Sequence, residues 1–277
     1  HANIYYRKAG KVTAEYHCII SAVRPLLDLY GSTPAKLFGP AALKAVRQRM
    51  IDGGTMCRTF INKSIGRIRR CFRYGVENEL VPPAVLIGLE AVAPLLAGRT
   101  EAIDHPPRSP VPQETLALVK DHVDQETRDL TDLALLSGAR PGELVSLTGD
   151  MIDMTHADVW VARLSNHKTV HLGKQRALVF GPQCIEILKR NLRADGRLRL
   201  FPITRVTFSN RLKRACNELG LPKFTGHWLR HTAATAIRKS NGLDGAQCML
   251  GHSTASMSEH YAQVGITKAM EVARQVG

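Results

Sequence analysis

The apolar residues of the first hundred positions recur at helical spacing. They predict three helices, over residues 12–30, 41–52 and 59–79, each of which ends at a glycine or shortly before a proline. In the third helix the apolar stripe consists of Ile61, Ile65, Ile68 and Phe72. Such a stripe is typical of a helix that packs one face on a core. We therefore expect this region to fold as a bundle of helices.

The opposite side of the third helix is basic. It carries Lys63, Arg67, Arg70 and Tyr74, and no acidic residue precedes Glu77 in this helix. Solvated helix faces usually mix both signs of charge, whereas a row of cations with an aromatic ring suits the phosphates of a DNA duplex. We predict that Lys63, Arg67 and Arg70 bind DNA, with an ordinary solvated face as the alternative.

The second half of the chain mixes two periodicities. Helical patterns cover residues 112–122, 126–136 and 207–219, while residues 159–161 and 177–180 predict two short strands on either side of a turn. After the second strand the pattern is helical again. The predicted fold class is therefore mainly α with a small antiparallel β-sheet.

A proline-rich segment separates the two halves. Four prolines lie between residues 105 and 113, where they deny the backbone its helical hydrogen bonds and stiffen it. We expect a helical domain over residues 1–98, a linker over 99–112 and a second domain over 113–277.

The chain is basic along its whole length. It carries 38 lysines and arginines against 24 acidic residues, a net charge of +14, and the excess is divided equally between residues 1–105 and 106–277. Two basic halves indicate that both contact a polyanion such as nucleic acid, although an inert basic surface has the same composition. Arg211 and Arg214 lie off the apolar face of the helix predicted over 207–219, and we predict that they also contact DNA.

Other features narrow the cellular setting. No apolar run approaches the roughly 18 residues that a membrane-spanning helix needs, and the first residues lack the layout of a secretory signal. The six cysteines form no CxxC pair, which favours a reduced, intracellular environment. We expect a cytoplasmic protein without membrane contact. Because the sequence does not begin with methionine, we also expect a trimmed product.

Two short stretches carry residue types suited to chemistry on a phosphate. Arg140 precedes a predicted helix, and Glu143 follows three residues later. Backbone N–H groups at a helix start and a guanidinium together bind phosphate, and a glutamate can orient the arginine; a capping ion pair is the alternative. Lys168 lies at the tip of the predicted hairpin, where it is either a solvated lysine or a general acid.

Two further stretches lie towards the C-terminal end. His227 and His231 have the i, i+4 spacing of zinc ligands on a helix, but Arg230 between them would put a cation beside the metal, so we expect none. His227 and Arg230 can instead point together at an anion. His252 is followed by Tyr261, and a tyrosine becomes a nucleophile only near strong positive charge, because its ordinary pKa is about 10.

Together these residues resemble the signature of the tyrosine recombinase (phage integrase) family. That signature is an arginine followed by an acid, a lysine on a β-hairpin, His-x-x-Arg, Leu-Gly-His and a tyrosine nine residues later. The matching residues are Arg140, Glu143, Lys168, His227, Arg230, His252 and Tyr261. The resemblance implies the two-domain architecture of that family, a helical core-binding domain followed by a mixed α/β catalytic domain.

The resemblance also implies a function, that of a site-specific DNA recombinase or integrase acting on a mobile genetic element. Tyr261 would attack the scissile phosphodiester and form a 3′-phosphotyrosyl link, while Arg140 and Arg230 would clamp the phosphate oxygens. Because that link conserves the bond energy, neither ATP nor a metal is implied. The implied partners are double-stranded DNA with specific recombination sites and a homotetramer on DNA, with the apolar tail over residues 266–276 docking on a neighbouring protomer.

The remaining signature residues would assist. His227 would help to remove the proton of the tyrosine, Lys168 would protonate the departing 5′ oxygen, His252 would add a hydrogen bond to the phosphate, and Glu143 would hold the arginine in position. Three alternatives stay open: a type IB topoisomerase-like enzyme with the same chemistry, a catalytically inactive DNA-binding relative, and a metal hydrolase built on the histidines His227, His231, His252 and His260.

Overall fold

The chain divides into two units, His1–Pro107 and Arg108–Gly277. The structure is a computed structural model that describes residues 2–8, 10–106, 108–164, 176–250 and 259–276. The boundary between the units falls within the proline-rich segment predicted as a linker. None of the helices in the described part of the chain is long and apolar enough to cross a bilayer.

The first unit is predominantly helical. Its elements are α1 (Ala2–Tyr5), β1 (Arg7–Lys8), β2 (Lys11–Val12), α2 (Ala14–Tyr30), α3 (Pro40–Asp52), α4 (Arg58–Glu77) and α5 (Pro83–Glu90). The two strands pair antiparallel with each other. Helices α3 and α5 begin with proline, which suits a helix start because its missing N–H would have no helical partner there. Helices α2, α3 and α4 are the three that the apolar spacing predicts.

The apolar stripe of α4 lies in the core of the first unit, as predicted. Ile61, Ile65 and Ile68 are at most 4% exposed and pack with buried residues of α3. Phe72 continues the stripe and stacks on Phe38, with ring centroids 5.1 Å apart. The burial of this stripe fixes α4 as the central helix of the unit.

The basic side of α4 differs from the prediction. Arg67 is only 9% exposed, and its guanidinium donates two hydrogen bonds to Glu15 of α2, at 3.0 and 2.9 Å. Arg70 is exposed but bonds the same carboxylate at 3.2 Å, and Lys63 is exposed. Helix α2 thus supplies the acidic partner of Arg67 and Arg70. Arg67 is therefore engaged in the packing of α2 on α4, and its contact with a DNA phosphate stays a prediction.

The second unit surrounds a small sheet with helices. Its elements are α6 (Gln113–His122), α7 (Gln125–Ser137), α8 (Pro141–Leu144), β3 (Ile152–Asp153), β4 (Trp160–Leu164), β5 (Arg176–Phe180), α9 (Pro182–Asn191), α10 (Arg205–Glu218), α11 (Gly226–Leu250) and α12 (Glu259–Val276). The three strands pair antiparallel in the order β3-β4-β5. This confirms the predicted fold class, mainly α with a small antiparallel sheet.

The sheet separates two apolar cores. Alternate residues of β4 and β5 face the larger core, which includes α7, α9 and α10; they are Trp160, Ala162, Leu164, Leu178 and Phe180. The residues between them, Val161 and Val179, face a smaller core with α11 and α12. Strand side chains point alternately to opposite faces, so the sheet is buried on both sides.

The C-terminal helix also differs from expectation. Ala269, Val272 and Ala273 of α12 are at most 4% exposed and cover the smaller core of their own unit. Arg274 pairs with Asp158 at 2.6 Å. The second face of the sheet needs an apolar cover, and α12 provides it. Among the described side chains of α12, these apolar residues therefore pack within their own unit.

The predicted linker is attached to a unit at each of its ends. In the first unit, the backbone N–H of Arg58 bonds the carbonyl of Ile103 at 2.8 Å, and its guanidinium pairs with Asp104 at 2.6 Å. In the second unit, the N–H of Val111 donates to the hydroxyl of Thr232 at 2.9 Å. Hydrogen bonds and an ion pair thus fix the part of this segment that lies next to each unit.

Candidate active site

Arg140 lies at the turn between α7 and α8. Helix α7 ends at Ser137 and is capped by Gly138, whose φ of 62° is left-handed, and Pro141 occupies the first position of α8. Arg140 is the extended residue before that proline, and its side chain is 37% exposed. The turn therefore holds the Arg140 guanidinium at the surface, while the residues on either side of Arg140 are buried.

Gly138→Ala is expected to destabilise the second unit. A left-handed φ costs a residue with a Cβ about 1–2 kcal/mol, and this Cβ would clash with buried Leu250, which adds about 1–3 kcal/mol of overpacking. Both tryptophans, Trp160 and Trp228, lie in the second unit, so their fluorescence during urea denaturation reports on it. Gly142→Ala is the control, because its Cβ would meet an ordinary contact at 3.9 Å. Equal midpoints for the two variants would contradict the prediction.

Glu143 is a buried carboxylate that joins two arginines. Its Oε1 accepts a hydrogen bond from Nη1 of Arg140 at 2.6 Å, and its Oε2 accepts one from the Arg140 backbone N–H at 2.9 Å. Arg176, the first residue of β5, donates Nε to Oε1 at 3.3 Å and Nη2 to Oε2 at 3.2 Å. Glu143 and Arg176 are both below 9% exposed. The capping ion pair between Arg140 and Glu143 that the sequence suggested is therefore present, and Arg176 is a second cation bound to the same carboxylate.

The charge of Glu143 depends on these two neighbours. Burial acts to raise the pKa of its carboxyl, but the charges and hydrogen bonds of Arg176 and Arg140 hold that pKa below its ordinary value. A lowered carboxyl pKa contributes stability above the ordinary pKa and loses it as the pH falls through the folded value. Glu143 is thus ionised at neutral pH.

Helix α11 brings Arg230 to the same place. Arg230 is 6% exposed, and it donates Nη1 to the carbonyl of Gly138 at 2.6 Å and Nη2 to the carbonyl of Leu250 at 3.1 Å. The first bond fixes it beside the turn that carries Arg140. Burial, together with the charges of Arg140 and Arg176, lowers the pKa of Arg230 to about 10. Arg230 therefore keeps its charge at neutral pH.

His227 lies three residues before Arg230 on α11, with an exposed side chain. Partial desolvation of the ring and the nearby charges of Arg108, Arg230 and Arg140 lower its pKa below the ordinary value. The imidazole is then neutral at pH 7 and able to accept a proton. Residues about ninety positions apart in the sequence therefore share one electrostatic environment, in which two arginines lie near a neutral base.

Comparison with known families identifies the second unit. Residues 113–267, more than half of the chain, match the model of the phage integrase family. The chain belongs to the phage integrase family. The resemblance seen in the sequence is thereby confirmed. A search of curated protein sequences found no match.

Solved integrase structures share the fold of this family member. A lambda integrase dimer bound to a COC′ core site is 17% identical, with a TM-score of 0.67 over 90% of this chain and 91% of that chain. The Tn1549 transposon integrase in complex with transposon right end DNA is 18% identical, with a TM-score of 0.67 over 95% and 96% of the two chains. A lambda integrase tetramer bound to a Holliday junction is 17% identical, with a TM-score of 0.67 over 90% and 74%. At these identities the similarity establishes the fold.

The other integrase signature positions are Lys168, His252 and Tyr261. Lys168 and His252 lie outside the described residues. Tyr261 lies near the start of α12, and its side chain is outside the described part of the chain. Of the site residues predicted from the sequence, those that the structure describes and brings together are Arg140, Glu143, His227 and Arg230.

The two DNA-contact candidates on α10 are both ion-paired. Arg211 lies 3.1 Å from Asp124 and 2.8 Å from Glu126, and about a third of its side chain is exposed. Arg214 lies 2.8 Å from Glu218 but is 80% exposed. Arg214 is thus accessible to a phosphate, whereas Arg211 ties α10 to the start of α7.

Two cations near the site were not predicted from the sequence. Arg176 lies on the same face of β5 as Leu178 and Phe180, which face the larger core. A charged residue at such a core-facing position indicates a buried ion pair. Arg108 lies over the ring of Trp228 at 5.7 Å and contributes to the lowered pKa of His227. No comparable pattern marks Arg108, because the residues around it are prolines and serine.

A metal site at the two histidines of α11 finds no support in this arrangement. His227 is surrounded by arginines, whose charges disfavour a second cation. Within the described residues, no group of three histidine, cysteine, aspartate or glutamate side chains is placed to hold a metal ion.

Proposed function

We propose that this chain is a tyrosine-type site-specific DNA recombinase, which cleaves and rejoins DNA strands through a 3′-phosphotyrosyl intermediate. The proposal depends on one observation, the convergence of Arg140, Arg230 and His227. The pentavalent transition state of phosphoryl transfer carries more negative charge than the phosphodiester it comes from. Cations fixed in advance therefore bind the transition state more tightly than the substrate.

The two arginines have different tasks in this proposal. Arg230 is rigid, because two carbonyls hold its guanidinium. Arg140 is held by Glu143 but is partly exposed. A phosphate that docks on the surface of the turn would meet Arg140 first and Arg230 below it. The pair would bind the two non-bridging oxygens.

The reaction consists of two transesterifications. The Oη atom of Tyr261 attacks phosphorus and its proton passes to His227, while the bond from phosphorus to the 5′ oxygen breaks. Lys168 protonates the departing 5′ oxygen, and His252 donates a hydrogen bond to the phosphate. The 5′-hydroxyl of another strand then attacks the phosphotyrosine and releases Tyr261. Since each step exchanges one phosphoester for another, the cycle uses neither ATP nor a metal.

The partners proposed are double-stranded DNA that carries specific recombination sites and further copies of this chain. The net charge of +14 favours a polyanion, and the structural neighbours described above are bound to a core site, to transposon-end DNA and, as a tetramer, to a Holliday junction. Lys63, Arg70 and Arg214 are the exposed candidates for phosphate contacts. We propose a homotetramer on the DNA of a mobile element, in the cytoplasm at the nucleoid.

Covalent trapping tests the proposal. The whole chain is incubated with a pool of nicked DNA fragments of random sequence, in EDTA and without ATP. When cleavage occurs close to the nick, the short strand diffuses away and the link to the protein is trapped. We expect a complex that survives SDS, whose 3′ phosphate is attached to the peptide containing Tyr261, as mass spectrometry would show.

The sequences at the covalent junctions separate the alternatives. A recombinase gives junctions at one sequence, whereas a topoisomerase-like enzyme gives them at many. An inactive DNA-binding relative retains DNA without forming any adduct. Absence of an SDS-resistant complex from the whole pool, or attachment at another residue, would overturn the proposed function.

A further inference from the structure

Arg176 is a buried cation to which the reaction above gives no task. It lies at the start of β5, is 8% exposed and donates both Nε and Nη2 to the carboxylate of Glu143. Burying an arginine–glutamate pair is not in itself stabilising, because desolvation offsets most of the attraction. A buried cation beside a phosphate-binding site therefore suggests a role beyond stability.

The hydrogen bonds of Glu143 show what Arg176 does locally. Each carboxylate oxygen accepts one bond from Arg140 and one from Arg176, and the bond to Oε2 from Arg140 comes from its backbone N–H. The Arg140 guanidinium thus reaches this carboxylate through Nη1. The planar fork that an arginine usually directs at a carboxylate is supplied here by Arg176.

Without Arg176, the carboxylate would have a free acceptor position on each oxygen, and Arg140 would be its nearest cation. Arg140 would then tend to turn both of its terminal nitrogens onto Glu143, in the bidentate arrangement that these groups prefer. That rotation would draw the guanidinium away from the surface at which a phosphate docks. A displacement of about 1 Å at a catalytic group can reduce a rate roughly a hundredfold.

We propose that Arg176 is a positioning residue for strand cleavage, which occupies Glu143 so that the Arg140 guanidinium stays directed at the substrate phosphate. The proposal rests on the proposed function and deepens it. Arg176 itself does not touch the substrate, since its side chain is buried behind Glu143.

Arg176→Met tests this with the rate of adduct formation in a single turnover. We expect the rate at neutral pH to fall roughly a hundredfold, while DNA binding is unchanged. The matched control is Arg163→Met on β4, which removes an arginine of the same sheet. Arg163 pairs in register with Ala177, its side chain is 67% exposed, and it lies 4.0 Å from Asp153.

The pH profile distinguishes positioning from a general loss of structure. The cations that face Glu143 are Arg140 from the turn before α8, Arg176 from β5 and Arg230 from α11. Once Arg176 is removed, burial raises the pKa of Glu143, so the ionised form is lost at a higher pH. The acid limb of the pH–rate profile for cleavage should therefore lie at a higher pH in Arg176→Met than in Arg163→Met. In Arg163→Met, His227 titrates as in the wild type.

Two further variants keep the inference open to contradiction. In a Glu143→Gln background, adding Arg176→Met should change the rate little, because the two residues act through one contact. Arg176→Lys retains the positive charge but not the planar, two-nitrogen donor group of arginine. It should cleave about tenfold more slowly than the wild type, with the acid limb of its pH–rate profile unshifted. If Arg176→Met does not fold, Arg176→Lys is the variant that tests the inference.

The outcomes separate this inference from the function on which it rests. If the wild-type chain forms no adduct, the proposed function is overturned and this inference with it. If the wild type forms the adduct but Arg176→Met and Arg176→Lys cleave like Arg163→Met, the inference alone is overturned. Full additivity with Glu143→Gln would likewise exclude a role through Glu143.

Discussion

Tyr261→Phe is expected to abolish the covalent protein–DNA adduct while leaving DNA binding intact. Phenylalanine removes the one atom that would attack phosphorus and keeps the ring. Tyr261 is also the only tyrosine after Tyr74 in the sequence, so the second unit has no other phenol to replace it. The measurement is SDS-resistant complex formation on the nicked DNA selected by the wild type, beside a gel-shift measurement of affinity.

Tyr30→Phe provides the control for this prediction. It removes the hydroxyl of a tyrosine in the first unit whose ring packs on Phe38 at 5.4 Å, and it should form the adduct at the wild-type rate. An adduct formed by Tyr261→Phe would show that the nucleophile is another residue. Loss of DNA binding in Tyr261→Phe would show that the phenol hydroxyl contributes to forming the protein–DNA complex, and not only to strand cleavage.

Arg230→Lys is expected to reduce the single-turnover cleavage rate by roughly a hundredfold or more, which corresponds to about 3 kcal/mol of transition-state stabilisation. The guanidinium donates to the carbonyls of Gly138 and Leu250 and, in the proposed reaction, to the phosphate as well. An ammonium group has the same charge but lacks the planar fork, so it cannot keep both carbonyls paired and reach the phosphate.

Arg238→Lys is the matched control, because Arg238 is an exposed arginine of the same helix. It should cleave like the wild type. Tryptophan fluorescence during denaturation checks that Arg230→Lys remains folded, since both tryptophans belong to the second unit. A folded Arg230→Lys variant that cleaves at the rate of Arg238→Lys would exclude Arg230 from the transition state.

Much of the fold could be predicted because its helices have regular apolar stripes. The predicted helix over residues 41–52 is observed as Pro40–Asp52, and the core residues of α4 are those of its stripe. Strand bounds were less accurate. The β4 strand extends past Arg163, which interrupts the apolar run, and β3 has two residues, too few for any periodicity.

The site could be predicted in part for a similar reason. Spacing alone indicates a pair such as Arg140 and Glu143, whose partners are three residues apart. It gives no indication that Glu15 neutralises Arg67, since those residues are 52 positions apart. Arg176 was missed because the strand was predicted to begin at Ala177, one residue after it. Contacts between distant segments depend on the tertiary fold, and local pattern does not encode them.

The pairing of β4 with β5 has a consequence for how this protein tolerates changes in length. Leu164 lies opposite Arg176, and alternate residues from there face the larger core. A slip of one residue in β5 would turn Arg176 towards α12 and send Ala177 to Glu143 instead. If Arg176 acts as proposed, an insertion or deletion within this strand should therefore abolish the proposed strand cleavage even where the sheet still forms, so the register of β5 is itself a requirement of that reaction.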